Sequence, residues 1–308
     1  MLCLKDRLFL LTLCILMICG ATCRAQYNPL YSQYMFNGLA LNPAYAGSQD
    51  ALNIAALYRS SQWGKGIDGA PVTQTFAGDF PLQNRQLALG LLIFNDKINT
   101  LRQTGAYFAY SFRVKTEKGR LSFGLQAGFD LQHEDQTKII LINKEDPMFN
   151  LDVNNNFMPN TGVGTYYYTP TFFAGFSIPQ LITYTPQTSN SYKGKMTLAN
   201  VKLYGGLIVP TDMKVKIKPS TLLQYSGNGI IWDLNCNFLM LNDLLELGVS
   251  WRTVGVLVTM VQFSYNQFRI GYAHDNAIGK TNAINTSHEI MLRYDLNFRI
   301  KAASPLYL

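Results

Sequence analysis

The chain is organised by alternation. From 121 to 132, Leu121, Phe123, Leu125, Ala127, Phe129 and Leu131 share one face, opposed by Ser122, Gly124, Gln126, Gly128, Asp130 and Gln132. A period of two over that length describes a strand with one apolar face and one wet face. The pattern recurs at 85–94, where Leu87, Leu89, Leu91 and Ile93 oppose Gln86, Ala88 and Gly90. It returns near the C-terminus, where Ile290, Leu292, Tyr294, Leu296 and Phe298 oppose Glu289, Met291, Arg293, Asp295, Asn297 and Arg299. Soluble sandwiches alternate too. Two features favour a membrane instead: strands near the ~9–11 residues of a tilted span, and aromatics toward their ends. Tyr107, Tyr110, Phe112, Trp251, Tyr265 and Phe268 take such positions.

Composition sharpens this. Aromatics make up 13% of the chain and charged residues 15%, against roughly 25% charged in an average soluble domain. Past the N-terminal leader, no continuous apolar run is long enough to cross a bilayer as a helix. A closed barrel is the remaining membrane solution, because it satisfies its backbone internally and hides its apolar face in alternation. Candidate strands fall near 51–59, 71–80, 85–95, 102–114, 119–132, 161–169, 171–179, 197–209, 213–226, 229–239, 244–253, 256–265, 267–274 and 287–299. The expectation is an all-β, antiparallel transmembrane barrel of about 14 strands, an even number as bacterial barrels require. Connection lengths give an independent check. The even connections are short, and the three longest, 133–160, 180–196 and 275–286, are all odd. Short periplasmic turns against longer outer loops produce that parity. Asn154–Asn156 and Thr183–Ser191 have loop composition.

Residues 1–25 resemble a secretory signal. Lys5 and Arg7 precede the apolar run Leu8–Cys19, and the small residues leading to Ala25 offer a cleavage site. The expected division is therefore 1–25 signal peptide, 26–50 an N-terminal plug, and 51–308 the barrel, with the protein integral to the outer membrane. Removing the signal takes Cys3, Cys14, Cys19 and Cys23 with it and leaves Cys236 alone. That excludes an intramolecular disulfide and an all-cysteine metal site. The net charge of +7 carries no basic cluster of the kind that marks a nucleic-acid surface.

The stretch Gln26–Gly47 holds four tyrosines, two Asn-Pro breaks and no charge. Each Asn-Pro forces extended geometry on the asparagine, so the stretch is not one helix. Tyr31, Tyr34, Met35 and Gly38 fall at helical spacing, enough for two turns with one aromatic face. Such a segment needs a wall to lie against, and the expectation places it in or across the periplasmic mouth of the barrel.

Here the chain resembles a known family. Tyr31-Ser32-Gln33-Tyr34, then Asn37, then Asn42-Pro43-Ala44-Tyr45-Ala46-Gly47 look like the start of mature PorP/SprF proteins, outer-membrane components of the type IX secretion system of Bacteroidota. Tyr58-Arg59, Gln62-Trp63 and Ala70-Pro71 resemble the family pattern after the first strand. Gly90 with Asn95-Asp96, Pro219-Ser220, Trp251-Arg252 and Ser287-His288-Glu289-Ile290 look like further family positions. The ending Ser304-Pro305-Leu306-Tyr307-Leu308 resembles Ser-Pro-Arg-Tyr-Phe but departs at 306 and 308. The resemblance implies a non-enzymatic role in secretion or surface attachment of large cargo proteins, including gliding adhesins in some bacteria. It also implies partners: the C-terminal sorting domain of a cargo, other components of the secretion system, and outer-membrane lipid. The alternative is a FadL-like channel for apolar small molecules.

The inward positions Asp130, Glu246, Arg252, Glu289, Arg293, Asp295 and Arg299 line the lumen on this register. They form either a polar channel or docking wall, or a mutually paired network that fills a narrow barrel. Catalysis has little to work with. Ser287, His288 and Glu289 are adjacent, and a strand turns His288 away from its neighbours. Three scattered histidines and one cysteine give no metal spacing. No enzyme activity and no cofactor are expected.

Overall fold

The computed structural model describes residues 31–61, 69–82, 85–135, 153–188, 191–198, 200–211, 215–226, 229–278 and 286–296. The signal segment, Trp63 and the C-terminal tail lie outside them. The strands are β1 (Leu52–Ser60), β2 (Val72–Pro81), β3 (Leu87–Ile98), β4 (Leu101–Lys115), β5 (Arg120–Asp135) and β6 (Val153–Tyr168). They continue as β7 (Phe172–Ile178), β8 (Ile182–Thr188), β9 (Ser191–Met196), β10 (Asn200–Leu207), β11 (Val209–Pro210) and β12 (Lys216–Ser226). The last are β13 (Gly229–Met240), β14 (Leu245–Arg252), β15 (Val256–Tyr265), β16 (Phe268–Ala277) and β17 (Ser287–Leu296).

Each wall strand pairs antiparallel with the next. The ring closes where β1 meets β17, with Arg59 opposite Glu289 and Ala55 opposite Arg293. The two-residue β11 pairs only β12, and β8–β9 form a hairpin of their own, so the wall is a closed barrel of 14 strands. Closure leaves no unpaired edge, the condition for strands to cross a bilayer. Among the described residues no helix is long and apolar enough to cross a membrane. Outward positions carry Phe76, Leu89, Ile93, Phe108, Leu125, Trp232, Val249, Phe263 and Leu292, all exposed. Cys236 shares that outward face with Trp232, Leu234 and Phe238.

The barrel is lopsided. β4, β5 and β6 run 15, 16 and 16 residues, whereas β14–β17 and β1 run 8–10. One end carries the short even connections, such as 116–119, 241–244 and 266–267; the other carries 61–71, 136–152, 179–199 and 278–286. We call these the short-turn end and the long-loop end.

Two stretches expected as loops are strands. Asn154–Asn156 belong to β6, where they pair with Gln132, His133 and Glu134 of β5. Thr183–Ser191 fall largely within the β8–β9 hairpin. Both are polar, so they carry no apolar alternation to mark them. Pro159 is tolerated in β6 because β7 pairs only from Val163 onward, so no ladder on that side calls for its missing N–H; its carbonyl accepts from Tyr184 OH at 2.6 Å.

Candidate functional site

The lumen is filled by the chain's own N-terminal segment. Every residue from 31 to 49 is buried. The segment is three short turns: a 3-10 turn at Tyr34–Phe36, α1 (Gly38–Leu41), and a second 3-10 turn at Pro43–Tyr45. The expected two-turn helix is thus broken at Asn37 (φ −125°, ψ 63°). The wall supplies the partners that a continuous helix would have supplied. Arg293 Nη1 donates to Phe36 O at 3.2 Å and Ser177 Oγ donates to Leu41 O at 2.6 Å. Asn42 is extended (φ −152°, ψ 120°), as a following proline demands, and its Oδ1 accepts from Ala44 N at 2.9 Å.

The path of this segment differs from expectation in extent. It occupies the short-turn mouth and continues through the lumen to the long-loop end. At that far end, Glu289 accepts from the backbone N–H of Ser32 (3.0 Å) and of Gln33 (2.7 Å). Ser32 Oγ donates to Asp275 at 2.8 Å, and Arg59 donates to Ser32 Oγ at 2.9 Å. Arg59, Asp275 and Glu289 all lie within three residues of the long-loop ends of β1, β16 and β17. An ion chain backs this contact: Arg59–Asp275 at 2.8 Å, Arg252–Asp275 at 3.7 Å and Arg252–Asp233 at 2.7 Å. Asp233, Asp275 and Glu289 are completely desolvated or nearly so. Buried carboxylates persist only when paired and hydrogen-bonded, and here part of the pairing comes from the plug backbone.

At the short-turn end, Gly47 N donates to Asp79 at 2.7 Å, and Arg113 donates to Gly47 O. Asp50 bridges Arg113 (2.9 Å) and Arg120 (2.6 Å). Gly47 has φ +70°, and a Cβ there would sit 2.3 Å from Ala88 Cβ, so both backbone and space require glycine.

Between these ends the segment rests on β5 and β6. A Cβ on Gly124 would lie 2.1 Å from Ala44 N, and one on Gly164 would lie 2.0 Å from Asn42 Oδ1. Asn42 Nδ2 reaches Thr165 O at 2.8 Å. Tyr45 packs on Tyr166 (5.7 Å between centroids), which stacks on Tyr168 and Tyr204. Tyr31, Tyr34 and Phe36 are buried too. Each buried ring of this kind contributes about 1.5–3 kcal/mol. Phe36 also lies beneath Lys218 Nζ, 5.3 Å from its centroid.

The sequence-derived residues fall into groups. Tyr31, Ser32, Gln33, Arg59, Arg252 and Glu289 meet at the long-loop end. Asn42, Pro43, Ala44 and Tyr45 meet the β5–β6 floor, and Gly47 the short-turn clamp. Arg293 and Asp295 pair at 2.7 Å and Glu246 faces Lys218 at 3.6 Å, both groups close to Phe36. Asp130 is apart, accepting from Tyr107 OH at 2.8 Å. His288 points outward as expected, 2.7 Å from Tyr272 OH and stacked near His274. Pro71 closes the 61–71 loop by accepting from Ser61 N at 3.1 Å. Sequence inspection missed Asp79, Asp233, Asp275, Arg113 and Asp50. Parity along the strands was the available signal: Asp79 alternates inward with Thr73, Thr75 and Ala77.

Comparison with family models matches residues 23–294 to the family described as type IX secretion system membrane protein PorP/SprF. Comparison with curated proteins gives no match. Among solved structures the chain is similar to the toluene transporter TodX of Pseudomonas putida, at 10% identity and TM-score 0.49, covering 90% of this chain and 96% of that one. It is similar also to the outer membrane protein Omp33 of Acinetobacter baumannii, at 9% identity and TM-score 0.47, covering 81% of this chain and 100% of that one.

Proposed function

Since this chain belongs to the PorP/SprF family of type IX secretion system membrane proteins, we propose that its barrel acts in the outer membrane as a rigid dock for cargo. It serves secretion or surface attachment of particular large proteins, gliding adhesins among them, and does so without catalysis or a cofactor. The supporting observation is the burial of residues 31–49 across the whole lumen, clamped at both ends. A conduit for folded or unfolded protein needs that space empty. A dock gains from filling it, because a packed interior fixes the rims where partners bind.

Short turns face the periplasm in such barrels. On that orientation the short-turn rim, with exposed Lys115 and Lys118, meets other components of the secretion system. The long-loop rim, with the β8–β9 hairpin, meets the C-terminal sorting domain of the cargo. The FadL-like alternative finds less support. The lumenal cavity beside Lys202 measures about 40 Å³ and the one beneath Phe36 about 10 Å³, against roughly 300–1,000 Å³ for a small-molecule site.

The test is a deletion of the gene followed by an inventory of secreted and surface proteins. Loss of one or a few large cargo proteins, with the remaining type IX cargo unchanged, is the expected outcome. An unchanged inventory together with lost uptake of an apolar solute would overturn it in favour of the channel. Asn42→Ala with Pro43→Ala sharpens the test. The barrel still inserts, residues 31–49 become open to protease from the short-turn side, and the same cargo is lost.

A further inference from the structure

Among the described residues, the buried and half-buried cations of this lumen come matched, with one exception. Arg59 has Asp275, Arg113 has Asp50, Lys218 has Glu246, Arg252 has Asp233 and Arg293 has Asp295. Lys202, the third residue of β10, is 5% exposed. Among the described residues no carboxylate lies within ion-pair distance of it. Its strand neighbours leave it inside the barrel near the long-loop end, where it lines a cavity of about 40 Å³ with Tyr31, Leu92, Phe94, Tyr107 and Gln180. Asp130, the acid of this region, has its Oδ2 engaged by Tyr107 OH (2.8 Å) and Gln180 Nε2 (3.2 Å) and forms no ion pair with Lys202. The amides do not serve the ammonium either. Gln126 Nε2 donates to Pro179 O at 2.8 Å and Asn200 Nδ2 to Gln180 Oε1 at 3.3 Å.

An ammonium buried without a counter-charge costs several kcal/mol. The site therefore carries a standing demand for an anion. Its size limits the anion's shape, because about 40 Å³ is far below the roughly 300–1,000 Å³ of a small-molecule site. A carboxylate fits; a whole ligand does not. The lining combines the polar Gln126, Gln180 and Asn200 with an apolar side made by Ala40, Leu92 and Phe94, the last stacked on Tyr107 at 6.3 Å and 8°. Pro179 and Gln180 place the cavity at the root of the β8–β9 hairpin.

We propose that Lys202 receives, end-on, the terminal carboxylate of an otherwise apolar chain whose remainder extends past the root of the β8–β9 hairpin. Two sources offer that chemistry: a free aliphatic acid, and the C-terminal carboxylate of an apolar peptide. This inference stands apart from the secretion reading, since binding is measured on the purified barrel and needs no cargo.

The experiment is calorimetric titration of the full mature chain in uncharged detergent. The probes are dodecanoate against dodecanol, and an apolar hexapeptide with a free C-terminus against its C-terminal amide. At least one acid binds the wild type, about tenfold or more tighter than its neutral analogue, as a charge-assisted hydrogen bond requires. Whichever pair discriminates identifies the source. Lys202→Met abolishes that preference and raises the thermal midpoint of the empty barrel, because it removes an unpaired charge and keeps the stem. Lys202→Arg retains the preference. If neither acid binds the wild type, or acid and neutral analogue bind alike, the assignment is wrong, whether or not the variants fold. A methionine variant that binds as the wild type does would overturn it equally.

Discussion

One segment is gripped by two walls that use different physics. The short-stranded wall, β14–β17 with β1, holds residues 32–36 through charge: Glu289, Asp275, Arg59 and Arg293 each reach the plug or a group that touches it. At Gly47 and Asp50 the tall wall, β4–β6, also uses charge, through Arg113 and Arg120, but it holds residues 42–46 largely through shape. There the contacts are glycine floors at Gly124 and Gly164, a hydroxyl at Ser111 that donates to Ala46 O at 2.7 Å, and a tyrosine stack. Charge specifies orientation, because an N–H pair fits a carboxylate in few ways. Close approach specifies depth, because a backbone that touches a backbone has nowhere further to go. The plug needs both to have one position.

The largest effect is expected on the charged wall. Glu289→Ala leaves Arg59 without part of its pairing and orphans two buried N–H groups, a loss of about 3–5 kcal/mol. Limited proteolysis of the detergent-solubilised barrel should then cut near Tyr31–Phe36 while Gly47–Asp50 stays protected. Cleavage spread evenly through 31–50 would mean that the two walls do not act separately.

Next comes the shaped wall. Gly124→Ala or Gly164→Ala places a methyl about 2 Å from plug atoms, an overpacking that costs about 1–3 kcal/mol. Here the Asn42–Asp50 half loosens first. Combining Gly124→Ala with Glu289→Ala sharpens the comparison. Additive losses in thermal unfolding describe two independent grips. A double variant no worse than Glu289→Ala alone describes a plug that leaves as one body.

Ser111→Ala removes a single hydroxyl from Ala46 O and should lower stability by about 1 kcal/mol, read as a small fall in the unfolding midpoint. The smallest change belongs to the surface. Lys216 and Asp243 pair at 2.5 Å with both side chains partly exposed to solvent, so Lys216→Ala should shift the midpoint by no more than about 0–1 kcal/mol allows. A larger shift there would show that the measurement does not isolate the lumen.

The wall was legible because lipid enforces it. Every spanning strand must show an apolar face, so Leu121–Leu131 and Leu87–Ile93 announce themselves, and turn parity follows from the even ring. Where strands leave the bilayer that pressure ends. The polar Asn154–Asn156 and the β8–β9 hairpin pair through the backbone and polar side chains, as His133 with Asn155 at 2.7 Å, and carry no such mark. The plug was legible as a segment needing burial, from its aromatics and its lack of charge. Its route was not. Ser32 and Glu289 are 257 positions apart, and no local pattern relates them. Likewise Gly124 and Gly164 look like ordinary small inward residues until Asn42 and Ala44 are seen to lie on them.

The seam between β1 and β17 joins the first wall strand to the last. Arg59 lies on one side of it, Glu289 on the other, and Ser32 touches both. The portion of the chain made early is thereby fastened to one made much later, across the line where the ring shuts. Contacts of such separation form late and slowly. Once the ring is shut the wall offers no side entrance, and the leading segment reaches its anchor either from inside or through an end. A chain that stops short of β17 lacks the closing strand and the anchor together. The strand that completes the wall therefore also carries the anchor that seats its interior.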